Sequence, residues 1–306
     1  MVTRPDAAVA SPDLEAIESM IRVAIDQRKP ETVASIGNGE FSIAIRWELG
    51  EAPCVVKRVP PFGTHATANH YVALVDEHVA DLRAQSVHCV TTDLHVLDRS
   101  DGSAVVYHCQ PLLDADLLAD QVLRRSEPDE DHPLLHEVID TIVRVVGGGT
   151  PLDAQFANWY WHDGRIWQLD FSTPLVLDAG GNIRFDPSGF LREYPGVVRP
   201  FVRKELLKIA PRFSEVDYVL TDAIVQFYRQ GFTNWITAYV HAVRARHGIE
   251  LSPATAKERF DTDAKFYPTL LRMKKLQRAW LQRTGRSYDS LLPATTSFGG
   301  QHQPSP

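Results

Sequence analysis

The chain has 306 residues, 44% hydrophobic and 23% charged, an ordinary composition for a soluble globular protein with room for one large domain or two closely packed lobes. Its 39 acidic and 32 basic residues give a net charge of −7. That argues against nucleic acid or an anionic membrane as the main partner, since both select for a basic surface, and leaves room for a local basic patch. The three cysteines, Cys54, Cys89 and Cys109, have neither CxxC pairing nor metal-ligand spacing, which suits a reducing compartment. Residues 1–10 include Asp6 and no unbroken apolar stretch, so no signal peptide is expected, and no run reaches the ~20 apolar residues of a membrane helix. The expectation is a cytoplasmic protein.

Leu14, Ile17, Ile21, Ala24 and Ile25 have helical spacing after Ser11 or Asp13 as cap, so a helix is predicted from Leu14 to Ile25. From Thr32 the pattern becomes short strands broken by glycine. Three antiparallel strands are predicted at Val33–Ile36, Ser42–Leu49 and Cys54–Val59, with turns at Gly37-Asn38-Gly39 and Gly50-Glu51. A helix from Ala68 to Gln85 follows, then strands at Leu94–Asp98 and Ala104–His108 joined through Ser100-Asp101-Gly102-Ser103. This gives a five-stranded sheet with one inserted helix by Gln110.

Residues 112–146 read as helical, with a break at the acidic run Glu127-Pro128-Asp129-Glu130-Asp131, and Gly147-Gly148-Gly149 end the second helix. A strand hairpin at Trp159–Trp161 and Arg165–Leu169 comes next. Residues from Arg199 to about Arg283 are helical again, and the Gly-, Ser-, Gln- and Pro-rich tail from Pro293 has a disordered composition. The domain reading is an N-terminal helical extension over 1–30, a β-sheet lobe over 31–110, a helical lobe over 111–292 and a tail over 293–306. The fold class expected is α+β, with a cleft near residues 109–114.

Four local features could carry chemistry. Ile36-Gly37-Asn38-Gly39-Glu40-Phe41-Ser42 lies between two strands, where glycines let backbone N–H groups approach phosphate; an Asn-Gly hairpin fits the same residues. Lys57 ends an apolar strand and could meet phosphate oxygens, or it could be a solvated strand-end lysine. Asp153 and Asn158 lie five residues apart on a loop; they could serve as proton acceptor and metal ligand, or as ordinary turn formers. Asp170 follows an apolar strand, where it could hold a divalent cation or cap the next turn.

In this order the features resemble the protein-kinase-like superfamily, in its aminoglycoside and choline phosphotransferase branch, from about Val33 to Pro174. Gly37 through Ser42 look like the Gly-rich loop, Lys57 like the lysine of the third strand and Glu77 like its helical partner. Asp153 and Asn158 keep the step of the catalytic loop, and Asp170-Phe171-Ser172 look like the metal-binding Asp-Phe-Gly. The resemblance implies a bilobal kinase-like fold using ATP and Mg²⁺. Gly37, Gly39, Phe41 and Ser42 would cover the nucleotide, Lys57 would hold its phosphates and be oriented by Glu77, Asn158 and Asp170 would bind Mg²⁺, and Asp153 would accept a proton. The acceptor implied is a small-molecule hydroxyl, because no Ala-Pro-Glu segment follows Asp170. Pro151-Leu152 stand where the family has a bracing histidine. The alternative is therefore a pseudokinase-like scaffold, with a protein partner. The basic run Arg272, Lys274, Lys275, Arg278 and Arg283 reads as a solvated helical face, with an anionic partner as the alternative.

Overall fold

Two opposite faces of one antiparallel sheet organise the N-terminal part of the chain. The structure, a computed structural model, describes residues 3–9, 12–27, 29, 32–33, 35–38, 42–48, 53–285 and 289. Strands β1 (Ser35–Asn38), β2 (Ile43–Trp47), β3 (Cys54–Arg58), β5 (Asp93–Asp98) and β6 (Ala104–Pro111) pair antiparallel in the order β1-β2-β3-β6-β5. Side chains alternate between faces along each strand. On β6, Val105, Tyr107 and Cys109 join one apolar cluster while Ala104 and Val106 join another. Every residue of β6 is buried, because both faces of the sheet are covered.

Helix α1 (Leu14–Asp26) covers the outer face. Asp13 caps it by accepting from Ala16 N at 3.0 Å, and Ile17, Ile21 and Ala24 face Ile45, Val56 and Tyr107 in a shared cluster. Charge lies within this interface. Arg58 donates to both carboxylate oxygens of Glu18, at 2.8 and 2.9 Å, and to Asp289 at 3.0 Å, while Tyr107 Oη donates to Glu18. Arg58 is only 3% exposed and Glu18 9%, so the two side chains are buried as a hydrogen-bonded pair.

Helix α2 (His65–Ala84) begins in a capping box between Thr64 and Thr67 and lies on the inner face. Its Ala68, Tyr71, Leu74, Val75 and Leu82 join the larger core, which continues into the helical remainder. That remainder comprises α3 (Ala119–Arg125), α4 (Pro133–Gly147), α5 (Arg199–Ile209), α6 (Val216–Gln230), α7 (Ile236–His247) and α8 (Pro253–Arg283). Helix α4 starts with Pro133 after His132, whose ring accepts from Leu134 N, and buries Leu135, Val138, Ile139 and Ile142 as one stripe. Gly231 (φ 78°) and Gly248 (φ 67°) end α6 and α7 in the left-handed region.

A second sheet, ordered β4-β8-β7, contains β4 (His88–Cys89), β7 (Trp159–His162) and β8 (Arg165–Gln168). Asp163 (φ 50°) and Gly164 (φ 71°) make the tight β7–β8 turn that needs positive φ at both central positions. Strand β4 pairs parallel with β8, which ties the segment after α2 to the hairpin. The chain is thus α+β, with a five-stranded antiparallel sheet and a mostly helical remainder.

The structure differs from the sequence expectation at β1 and β4. Strand β1 runs through Gly37-Asn38, which were expected in a turn, and Gly39 and Phe41 lie outside the described residues. Strand β4 was not anticipated, since two residues are too short for any periodicity to show. The tail from Pro293 also lies outside the described residues. Among the described residues, no helix is long and apolar enough to cross a membrane.

Candidate functional site

The inner face of the sheet meets the end of β8 at Lys57. In the β2-β3-β6-β5 register, Ala44, Lys57, His108 and Leu94 form one inward row across the strands. Lys57 Nζ donates to Leu169 O at 3.1 Å and lies 3.5 Å from Asp170 Oδ1. The same Leu169 carbonyl accepts from Gln110 Nε2 at 2.8 Å. Two residues from the sheet therefore fix the backbone that presents Asp170.

Asp170 Oδ1 also accepts from Ser172 N at 3.0 Å and Ser172 Oγ at 2.7 Å. Because Ser172 gives its hydroxyl proton to Asp170, Ser42 Oγ must be the donor in its 3.4 Å contact with Ser172 Oγ. Ser42 directly precedes the second strand, so this contact joins the start of β2 to the Asp170 loop. Burial alone would raise the Asp170 carboxyl, but Lys57 and the two Ser172 hydrogen bonds outweigh it and bring the pKa down to about 2. Asp170 is a carboxylate at any physiological pH. Its Oδ2 makes no hydrogen bond to a described residue.

Helix α2 contributes a tyrosine here rather than a glutamate. Tyr71 Oη donates to Ser172 O at 2.9 Å and lies 2.9 Å from His108 Nε2. A carbonyl can only accept and a phenol has one proton, so His108 must donate through Nε2–H. Burial, with Lys57 beside it, lowers the His108 pKa to about 3, so the ring is neutral and this tautomer is fixed. Glu77, expected to orient Lys57, instead pairs with Arg184 at 2.5 Å on the surface. The reason is helical phase: Tyr71, Leu74, Val75 and His78 take the buried side of α2, which turns Glu77 outward.

The third part of the site is the loop before β7. Leu152 is fully buried and its N–H donates to Phe213 O at 3.1 Å, which anchors the loop where a bracing histidine is absent. Asp153 Oδ1 accepts from Gln155 N at 3.3 Å and Oδ2 from Gln155 Nε2 at 3.2 Å. Burial raises the Asp153 pKa to about 7, reinforced by the negative charges of Asp222 and Asp170 and opposed by Gln155. Asp222, on α6, is itself paired with Arg259 at 2.6 Å. Asn158 is placed by backbone bonds, its N–H to Gln155 O at 2.8 Å and its carbonyl accepting from Leu169 N at 3.0 Å. The last of these links the two loops directly, and the Asn158 side-chain amide engages no described residue.

Lys57, Asp170, Ser172 and Ser42 thus form one connected group, Asn158 is tied to it through Leu169, and Asp153 is coupled to it by charge. Gly37 is placed on β1 opposite Ala44. Reading motifs alone missed Tyr71, His108, Gln110, Gln155 and Asp222. Of these, His108 and Gln110 had a sequence signal, polar residues at alternate positions of an apolar strand.

Among the described residues, no group of three or more His, Cys, Asp or Glu side chains is arranged to hold a metal ion. Mg²⁺ does not require one, because it keeps waters and phosphate oxygens and takes one or two protein ligands. The open Oδ2 of Asp170 and the unengaged amide of Asn158 fit that role. A search of curated proteins finds no match. A family profile does match, over residues 16–279, nearly the whole span of the described structure. The chain belongs to that family, DUF6206, a family of unknown function.

Proposed function

We propose that the protein is an ATP- and Mg²⁺-dependent phosphotransferase with a two-lobed, kinase-like arrangement, acting on a hydroxyl of a small molecule. The observation that carries this reading is the contact between Lys57, on the third strand of the sheet, and Asp170, directly after the hairpin. A buried lysine and an adjacent ionised carboxylate at the meeting of a sheet and a helical body supply the pair of charges that nucleotide phosphates and their metal require. The strand order β1-β2-β3-β6-β5, with a helix inserted after β3, supports it as well.

In this reading Lys57 would hold phosphate oxygens, Asp170 and Asn158 would hold Mg²⁺, and Ser42 would keep the start of β2 against the Asp170 loop. The metal would neutralise charge building on the transferred phosphoryl group. Asp153 takes the proton as the acceptor oxygen bonds to phosphorus and ADP leaves. Its pKa near 7 suits a base that must be ionised yet able to receive a proton at neutral pH. Most of the rate would come from positioning and charge stabilisation.

A second reading, a scaffold that binds nucleotide without turnover and acts through a protein partner, draws on a specific observation. Glu77 is committed to Arg184, and both Asp153 oxygens accept from Gln155. Thermal unfolding with ATP, with Mg²⁺ and with both tests the shared premise. A ligand at a hundredfold excess over Kd adds about 2.7 kcal/mol to apparent stability. An Mg²⁺-dependent shift, lost in Asp170→Ala, is expected. No shift at millimolar nucleotide would sink both readings, and a shift without ADP production across hydroxyl acceptors would leave the scaffold.

A further inference from the structure

Helix α5 and the second half of α8 carry a charge pattern opposite to that of the chain. Residues 196–212 and 264–285 together hold eleven basic residues and one acidic residue, Glu205, in a protein of net charge −7. The two segments meet at Tyr194. Arg199 Nε donates to its carbonyl at 2.8 Å, and Lys274 Nζ lies 4.7 Å above its ring and 3.1 Å from Glu193. Both segments therefore pack at the Glu193–Tyr194 turn. Among the described residues, Lys204, Lys208, Arg272, Lys275 and Arg283 are exposed and make no ion pair.

Both segments also expose apolar side chains. Val197 is 90% exposed, Phe201 60%, Ile209 40%, Phe266 60% and Leu276 68%. No residue of helix α5 is fully buried; Val202, Leu206 and Leu207 are half-buried, and Phe201 stands on its exposed side. At 100° per residue, Phe266, Arg272, Leu276 and Arg283 share one side of α8 within an arc of about 120°. Cations lie beside the apolar residues at helical spacing: Phe201 has Lys204 and Lys208 on its side of α5, and Leu276 has Arg272 and Arg283 on its side of α8.

We propose that this face binds an anionic phospholipid surface peripherally. Single apolar side chains separated by cations suit an interface where each apolar group enters among acyl chains while its neighbour meets a phosphate. A protein partner would call instead for a contiguous apolar core with a polar rim. The overall negative charge does not oppose this, because at physiological salt a charge is felt over only about 8 Å. The face contains none of Lys57, Asp153, Asn158 or Asp170, so it stands or falls independently of the nucleotide site.

Sedimentation of the full chain with vesicles tests it, using phosphatidylcholine alone and phosphatidylcholine with phosphatidylserine, at low and high salt. Binding is expected only to the anionic vesicles and is expected to weaken as salt rises. Lys204→Gln/Lys208→Gln should lower it roughly 25-fold, about fivefold per cation, and Phe201→Ser should lower it while leaving the melting temperature unchanged. Absence of binding to anionic vesicles at low salt overturns the proposal, as does binding insensitive to all three substitutions. Capture of a polyglutamate peptide in place of vesicles, with the same sensitivity, would assign the face to an acidic protein and also overturn it.

Discussion

Replacing Asp153 by asparagine should stabilise the protein more at pH 8 than at pH 5. Burial raises the Asp153 pKa to about 7 from 3.8, with Asp222 and Asp170 adding repulsion. Between about pH 4 and 7 the folded chain therefore holds a proton that the unfolded chain has released. Stability falls as pH rises through that window and levels off above it. A difference of roughly three in pKa corresponds to about 4 kcal/mol. Solvent reaching the half-buried carboxyl reduces this, and so does the Gln155 contact, since an asparagine Nδ2 facing Gln155 Nε2 would force one amide to turn. A gain of about 1–3 kcal/mol at pH 8 remains, or about 2–6 °C at ~2 °C per kcal/mol for a chain of this size. Urea unfolding at pH 5 and pH 8, with the m-value unchanged between variant and parent, reads it directly. Equal effects at the two pH values, or a loss at pH 8, would refute the argument that Asp153 is held against its own ionisation. If Asp153 is also the base, the stabilised variant should lose turnover and keep nucleotide affinity.

Two further substitutions test the geometry around that site. Glu77→Ala should change stability by no more than about 0.5 kcal/mol and leave nucleotide affinity intact, because its pair with Arg184 is solvent-exposed; a tenfold loss in a nucleotide titration would restore Glu77 as the partner of Lys57. Arg58→Met should cost about 3–5 kcal/mol in urea unfolding, because it removes the bidentate partner of the buried Glu18 carboxylate and leaves it only Tyr107 and, at 3.8 Å, Arg99. Adding Glu18→Met should recover part of that loss, and a double variant no better than the single would mean that the cost lies elsewhere.

Lys57 and Arg58 show both what the sequence could reveal and where it stopped. Periodicity and glycine punctuation mark β2, β3, β5 and β6 and the hairpin at Asp163-Gly164, since these depend on neighbours within a few residues. The order of Lys57, Asp153, Asn158 and Asp170 along the chain was legible too, as a pattern of residue types. Two adjacent cations at a strand end, however, look alike in a sequence. The fold separates them by one pleat, sending Lys57 inward with His108 and Arg58 outward with Tyr107. Each then meets a carboxylate distant in sequence, Asp170 for Lys57 and Glu18 for Arg58. No local signal names such partners, because they are set by which helix covers which face of the sheet. Glu77 is the converse case: residue type and position both suited it to Lys57, and the rotation of α2 decided otherwise. The consequence is that β3 has two duties on one backbone. Its outer side fastens the sheet to α1 through a buried ion pair, and its inner side positions the lysine of the candidate site. A one-residue slip of β3 would exchange these faces, so the Arg58–Glu18 pair, which Lys57 could not form bidentately, also fixes the register that delivers Lys57 to Asp170.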